Sequence, residues 1–560
     1  MKNSTRAWLP KSFLIFHKGY KKSDLTADII AGITVGSVAL PLAMAFAIAS
    51  GVSPQAGIYC AVIAGFLISL LGGSRTQIGG PTGAFVVIVA GIVTKFGFGG
   101  LLLCTIMAGG ILIFLGATGL GAAVKFIPRP VVVGFTNGIG ILIASTQIRD
   151  FFGLRIAEVP GDFGGRMAAL ARNFGTLSVY ETGVAVSTLL LIVLFMRYFR
   201  RVPAYITALG IGTIAAIVFH LPVQTIGTRF GGLPSGFPHP HLPAFSFYLL
   251  RSLISPAITV AMLGAIESLM SAVVADRMSG DKHNPNVELI GQGIANVVTP
   301  FFGGLPATGA IARTATNVRS GAKTPVAGMV HALTLLAVLL FAAPLAKFIP
   351  LSSLAAILLV VAYNMGEWAE IPKLLKLTKL EISAWVSTFA LTVFADLTVA
   401  VEFGMMLSVL MFIRKVTATT TIEEVTHEHL QELKLHTLHN RHFPAYVAVF
   451  RIEGPFLFGA TSKVEQIIDR LPELPEIIIL RLRNMTAIDS TGLQALEELA
   501  DAAHQAQRHI LLCGARTQPS RLMHQAEFER HVGRHNLCKN IEVALTRAAE
   551  LHHQSRPLTS

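Results

Sequence analysis

Two apolar stretches of the chain are interrupted in matching fashion by glycine and proline. The first reads Ile78-Gly79-Gly80-Pro81-Thr82-Gly83-Ala84-Phe85, the second Leu305-Pro306-Ala307-Thr308-Gly309-Ala310-Ile311-Ala312-Arg313. Each break leads into a short helix-forming run. The first amides of a helix lack partners within it, and together they act as roughly half a positive charge. With Pro81 at the first helical position, the free donors of one helix are expected at Thr82, Gly83, Ala84 and Phe85. Those of the other fall at Gly309, Ala310, Ile311 and Ala312, with Arg313 just inside. Two such ends deep in a membrane would bind an anion without a lysine. The plainer alternative is a pair of Gly-Pro kinks that only permit close packing.

Glu267 lies about a dozen residues into an otherwise apolar run, Ile258 to Leu269, with Ser271 one turn on. An intramembrane carboxylate can exchange a proton, although a structural carboxylate bonded to Ser or backbone fits the same pattern. Arg313 either faces a cavity or snorkels from the end of its short helix, with Arg319 and Lys323 behind it. Two helix ends plus Arg313 sum to about +2, and an ionised Glu267 leaves about +1. Proton and anion would then bind better together than apart, the linkage that symport requires. Asp28 and Glu288 stand at segment starts, Asp396 and Glu402 flank a turn, and His331 reads as a satisfied core histidine.

These groups need a membrane around them. Of 560 residues 52% are apolar and 14% charged, against about 25% charged in soluble domains. From Thr417 onward there are 15 basic and 17 acidic residues, whereas the part before it holds 30 and 15, so the basic excess belongs to the apolar part. A soluble enzyme, a nucleic-acid binder and a disulfide-rich secreted protein are excluded as main readings. Cys60, Cys104, Cys513 and Cys538 form no framework, and no metal site or cofactor is expected. The basic N-terminus, residues 1–27, has no signal-peptide pattern.

A spanning helix needs about 20 apolar residues. Segments start near Asp28, Pro54, Leu101, Val131, Thr182, Ala204, Ile254, Pro325, Leu354, Ile382 and Ala400. Gly79–Thr94, Leu289–Phe302 and Pro306–Val318 bring the total to fourteen. Arg197 to Arg201, Lys282, Arg319, Lys323, Lys373 to Lys379, Arg414 and Lys415 share one face, which the positive-inside rule makes cytoplasmic. Both termini then lie inside. Ile33-Thr34-Val35 and Gly72-Gly73 recur as Ile258-Thr259-Val260 and Gly303-Gly304, 225 and 231 residues later. With seven segments per half the copies are inverted, and interrupted helices in matching places point to a transporter's central site.

After Arg414 the composition changes. Residues 415–442 read as a polar linker with His427, His429, His436, His439 and His442. Strands at Tyr446–Ile452, Ile477–Leu482 and His509–Cys513 then alternate with helices at Ser462–Leu471 and Thr491–Ala506. That pattern is a small α/β domain, over residues 443–552 with a short tail at 553–560. Thr491 and Gln494 have capping-box spacing.

Gly264 to Leu269, Gly291-Gln292-Gly293 with Asn296, and Phe301-Phe302-Gly303-Gly304 running on to Ala312-Arg313-Thr314 and Asn317 resemble the SulP family of sulfate permeases. The closest similarity is to a branch carrying C4-dicarboxylates. The resemblance implies a 7+7 inverted-repeat fold with a core (about 28–120 and 250–345) and a gate (about 128–221 and 351–414) in a transport domain over 28–414. It implies an elevator-like motion of core against gate, a homodimer, and a C-terminal STAS domain. Ser490 matches a phosphorylatable serine of related anti-sigma-factor antagonists and would be regulatory. Sodium-using members tend to carry Asp at the position of Glu267, so Glu267 leans towards protons.

The expectation is therefore a polytopic α-helical transporter in the inner membrane, carrying a small inorganic or organic anion with a proton. Glu267 and Ser271 serve the coupling ion, and a cytoplasmic protein is a candidate partner for the STAS domain. A sodium-coupled bicarbonate or sulfate importer, an uncoupled channel or exchanger, and an anion sensor remain open.

Overall fold

Seven helices are long and apolar enough to span a membrane among the residues that the computed structural model describes, 8–121, 128–156, 159–199, 202–233, 236, 240, 247–395, 397–425, 443–457 and 461–555. The five linker histidines, Arg200, Arg201, Asp396 and the extreme ends lie outside them. After a short helix α1 (Lys11–Lys18) come α2 (Lys22–Ala49), α3 (Pro54–Leu71), α4 (Val86–Ala117), α5 (Arg129–Phe152), α6 (Val179–Tyr198) and α7 (Ala204–Val218). The second half supplies α8 (Phe247–Ser279), α9 (Pro285–Val298), α10 (Ile311–Arg319), α11 (Val326–Phe341), α12 (Leu351–Met365), α13 (Lys379–Phe394) and α14 (Leu397–Thr419). The two segments expected at Gly79–Thr94 and from Leu101 run on as α4. It breaks only at Gly97, whose φ of 71° and ψ of −179° no other residue type adopts cheaply. Counting α4 as two, α2 to α14 supply the fourteen segments.

The chain divides into two units, residues 1–408 and 409–560. In the first, α2, α3 and α4 pack with α8, α9, α10 and α11, while α5, α6 and α7 pack among themselves and against α12 and α13. The first set falls on the ranges that the resemblance leads one to expect for a core, the second on those expected for a gate. Small residues bring the core helices together, as membrane helix contacts require. Where α4 crosses α9, a Cβ on Gly109 would lie 2.7 Å from the Gly293 carbonyl oxygen, and one on Gly293 would lie 2.6 Å from that of Gly109.

Asp28 and Glu288 do more than begin segments. Asp28, fully buried, accepts from the amides of Lys323 (2.7 Å) and Thr324 (3.0 Å) and from the Tyr20 hydroxyl. Glu288, 1% exposed, accepts from the amides of Gly73 (2.9 Å) and Ser74 (3.0 Å) and from the Gln292 side chain. Glu288 thus holds the loop before the first break, and Asp28 the loop after α10, the helix that follows the second.

In the second unit a five-stranded sheet has its strands in sequence order. They are β3 (Thr421–Glu424), β4 (Val447–Phe456), β5 (Ile477–Ile488), β6 (His509–Cys513) and β7 (Leu537–Cys538); β3 is antiparallel to β4 and the rest are parallel. The labels β1 and β2 belong to Gly79–Gly80 and Thr308–Gly309 in the first unit. Ser462–Asp469, Ser490–Gln505 and Thr517–Gln525 form helices that contribute to the apolar cluster with Leu480 and Leu482, and Ile541–Ser555 contributes to the other, with Ile479 and Leu511. Two expectations change. The segment read as a linker from 415 stays helical to Thr419 and then forms β3, because Ile422 packs on the apolar side of the sheet and its backbone pairs with Ile452. The helix expected at Thr491 is capped two residues earlier, by Asp489, whose carboxylate accepts from Gly492 N at 2.8 Å, leaving Ser490 exposed at the first helical position.

Replacing Gly293 by Val should cost about 1–3 kcal/mol by forcing α4 and α9 apart, read as a lower melting temperature of the purified protein. Burial pushes the Cys513 thiol from 9.0 up to about 12, against the opposing pull of Arg481. Its thiolate fraction should therefore keep rising tenfold per pH unit beyond 9, where an ordinary cysteine levels off. Native-state alkylation should climb without that plateau, and mass spectrometry of the Cys513 peptide in native and denatured chains checks this.

Candidate functional site: the paired helix breaks

The two breaks meet. β1 and β2 pair antiparallel, Gly79 with Gly309 and Gly80 with Thr308, and Ala310 N donates to Ile78 O at 2.8 Å. Each strand runs directly into its helix, so the two helix starts lie at opposite ends of one two-residue ladder. This pairing corrects the inventory of free amides. Gly309 N donates to Ser268 Oγ (3.1 Å), Ala310 N to Ile78 O, and Phe85 N to Thr82 O (3.3 Å) within a 3₁₀ turn over Gly83–Phe85. Pro81 precedes the helix rather than opening it, because Thr82 is extended (φ −127°, ψ 160°) and occupies the cap position. The amides of Gly83 and Ala84, and those of Ile311, Ala312 and Arg313, have no hydrogen-bond partner among the described residues. No side chain caps either helix.

Side chains from α8 and α9 hold the ladder. Ser268 bonds Thr308 Oγ1 (2.7 Å), and Thr308 Oγ1 donates to Gly264 O (3.0 Å). Gln77 donates to Ser268 O (3.1 Å), and Ile78 N donates to Thr314 Oγ1 (3.0 Å). Asn296, 1% exposed, both accepts from Ala307 N and donates to Ala307 O, each at 2.8 Å. Asn317 donates to Thr76 O at 2.8 Å. Buried backbone that leaves a helix thus finds partners, as membrane depth demands.

Glu267 projects from α8 to the first break, where its carboxylate accepts from Thr82 Oγ1 at 2.7 Å. A cavity opens beside it. Ala84 and Ile311, from the two helix starts, line it together with Glu267; Val131, Phe135 and Ile139 of α5, Thr388 of α13 and Val401 of α14 form the opposite wall. One cavity therefore joins the carboxylate, both helix starts and an apolar gate wall.

Two expected members stand apart. Ser271 is fully buried and shares its hydroxyl with Thr314 Oγ1 at 2.9 Å, tying α8 to α10. Arg313 is 2% exposed, which rules out snorkelling, and it does not line the cavity. Its Nη1 points to Gly80, where a Cβ would sit 2.9 Å away, and neither Nη finds a hydrogen-bond partner among the described residues. His331, fully buried, likewise has no partner for either ring nitrogen among them, so it is not the satisfied histidine expected. Sequence reading also passed over Glu367, which lines the same cavity from the gate side; a carboxylate at the end of an apolar run was the available signal.

Two interrupted helices that meet beside a cavity, among long apolar helices, place the chain in the class of multi-pass membrane proteins. The chain belongs to the sulfate permease family, which it matches over residues 25–388, and it carries a STAS domain over residues 440–544. It is 41% identical over 92% of its length to YvdB of Bacillus subtilis, provisionally named a sulfate transporter, covering 96% of that protein. It is 30% identical to the bicarbonate transporter BicA of Picosynechococcus, over 94% of this chain and 95% of that one. The solved transmembrane domain of a cyanobacterial BicA aligns at 34% identity and a TM-score of 0.61, covering 70% of this chain and 98% of that one. The overall structure of SLC26A9 shares the fold at a TM-score of 0.86 and 18% identity, covering 99% of this chain and 95% of that one. The chain is thus an anion transporter, and these relatives are named as transporters, not enzymes.

Asn296→Ala would leave the buried N–H and C=O of Ala307 unpaired, at about 1–3 kcal/mol each. Thermal stability and anion affinity should fall together, measured by melting the purified protein with and without sulfate.

Proposed function

We propose that the chain is a proton-coupled secondary active transporter that carries sulfate or a C4-dicarboxylate by an elevator-like movement of core against gate. The observation that carries this reading is the Glu267 carboxylate on Thr82, in the cavity that both helix starts line. The free amides of Gly83, Ala84, Ile311 and Ala312 attract an anion, and Arg313 adds its field from behind the ladder. An ionised Glu267 opposes that field; a protonated one does not. Proton and anion therefore favour each other's binding, and the coupling is reciprocal.

The membrane potential limits the stoichiometry. Each uncompensated charge costs about 2.3 kcal/mol per 100 mV. One proton per dianion leaves one negative charge to drive inward, whereas a monoanion with one proton crosses neutral.

A second reading has specific support. Similarity to BicA, named a bicarbonate transporter, favours bicarbonate as cargo, and the oxygens of Thr82 and Glu267 would then be ligands for sodium. Ser271 is a weaker ligand in either case, since its hydroxyl is shared with Thr314. We further assign both termini and the STAS domain to the cytoplasmic side of the inner membrane, the working unit to a homodimer, and the exposed Ser490 to regulation through phosphorylation or a cytoplasmic partner.

Uptake of labelled succinate into proteoliposomes under an inward proton gradient, with sulfate as competitor, tests the cargo. Accumulation that sulfate barely reduces means a dicarboxylate; strong competition means sulfate; a requirement for sodium overturns proton coupling. Glu267→Gln should lower the limit of proton-driven accumulation while anion exchange persists. A mutant that concentrates its substrate as far as wild type does would remove Glu267 from the coupling role.

A further inference from the structure

The cavity has a second carboxylate, on the wall opposite Glu267. Glu367 follows α12 and opens a 3₁₀ turn over Trp368–Glu370. It is a non-glycine residue in the left-handed region, at φ 39° and ψ 36°. Such backbone costs of order 1–3 kcal/mol and persists only where surrounding contacts enforce it.

Those contacts are present. Fully buried Asn137 of α5 donates to Gly366 O, and its own oxygen accepts from Trp385 Nε1 at 2.9 Å. The indole of Trp368 lies against Gly366 so closely that no Cβ would fit there. Trp368 Nε1 donates to Tyr363 O at 2.8 Å. These bonds hold the turn, and with it they place half-buried Glu367 in the lining of the cavity.

The charges around Glu367 leave it unpaired. Arg129 of α5 lies near, but its guanidinium is held by Glu370 at 2.6 Å, and Lys373 takes the other Glu370 oxygen at 2.8 Å. The remaining walls contribute Thr136, Thr388, Ala400 and Val401, none charged, and the core contributes Glu267. Among the described residues Glu367 has no hydrogen-bond or ion-pair partner. An ionised carboxylate there repels an anion on the helix starts; a protonated one admits it.

We propose that Glu367 is a second proton-binding group of the cavity, so that a dianion travels with two protons, one on each wall. This rests on the proton-coupled reading of Glu267 and removes the residual charge that one proton would leave on a dianion.

The test uses full-length protein in proteoliposomes, with labelled sulfate, a pH difference of one unit and the potential clamped at zero. Each coupled proton multiplies the accumulation limit tenfold under those conditions. Wild type should reach about a hundredfold, and Glu367→Gln about tenfold. Glu367→Asp should restore the wild-type limit, which a merely structural role would not predict, and its melting temperature shows that the turn survives. If Glu367→Gln reaches the wild-type plateau while Glu267→Gln accumulates nothing, this inference falls and the role of Glu267 stands. If Glu267→Gln reaches the wild-type plateau, or wild type never concentrates sulfate, the underlying reading falls and this inference with it.

Discussion

Unpaired backbone is intolerable in hydrocarbon, and one solution to that constraint organises the transport domain. Two helices must stop and restart mid-membrane if their first amides are to face a cargo, and the residues that precede each restart need partners. A ladder of only two residue pairs, Gly79 with Gly309 and Gly80 with Thr308, supplies them. It joins two repeats that are far apart in sequence, fixes the distance between the two helix starts, and decides which amides remain for a ligand. The side chains of Ser268, Asn296, Gln77 and Thr314 complete the accounting of donors and acceptors. Asp28 and Glu288 hold loops in the same way, by accepting backbone amides.

That constraint also explains what could be read from the sequence. Glycine and proline inside apolar runs announce a broken helix on their own, and a lone Glu267 in Ile258 to Leu269 announces a functional carboxylate, because both are costly in a membrane. The repeat was visible because both halves need the same break. Which amides are spoken for was not visible, since Gly309 and Ala310 are satisfied by residues some 40 and 230 positions away. Ser271 looked like a neighbour of Glu267 by helical spacing, but the short α10 packs on that side and takes its hydroxyl. Glu367 showed only as a carboxylate ending an apolar run: its place in the cavity lining depends on a left-handed turn held by Asn137 and Trp368, a contact that no local pattern encodes. In the tail, alternating apolar runs were enough to outline the parallel sheet, while β3 was missed because a four-residue strand beside polar sequence looks like linker.

The electrostatics divide between two layers. Around the cavity stand backbone dipoles and a carboxylate; behind the ladder stands Arg313, buried and turned towards Gly80. A guanidinium in that position contributes field without offering a hydrogen-bonding fork, so it adds attraction for negative charge but little discrimination of shape. Gly80 is what lets it approach, since a side chain there would meet Nη1.

Such a site reads charge before it reads geometry. A helix start bonds to any oxyanion, and the family accordingly includes proteins named for sulfate and for bicarbonate. Selection must then come from what surrounds the amides. Val131, Phe135, Ile139 and Val401 offer no bond to a second carboxylate or to a sulfate oxygen, which leaves Thr136 and Thr388 as the hydroxyls of that wall. The cavity-lining side chains that can change charge are Glu267, on α8, and Glu367, after α12. On the proton-coupled reading proposed above, cargo choice becomes a question of how many charges these two can cancel. That couples specificity to the driving ion, and makes the protonation state of the walls as much a part of the binding site as the amides themselves.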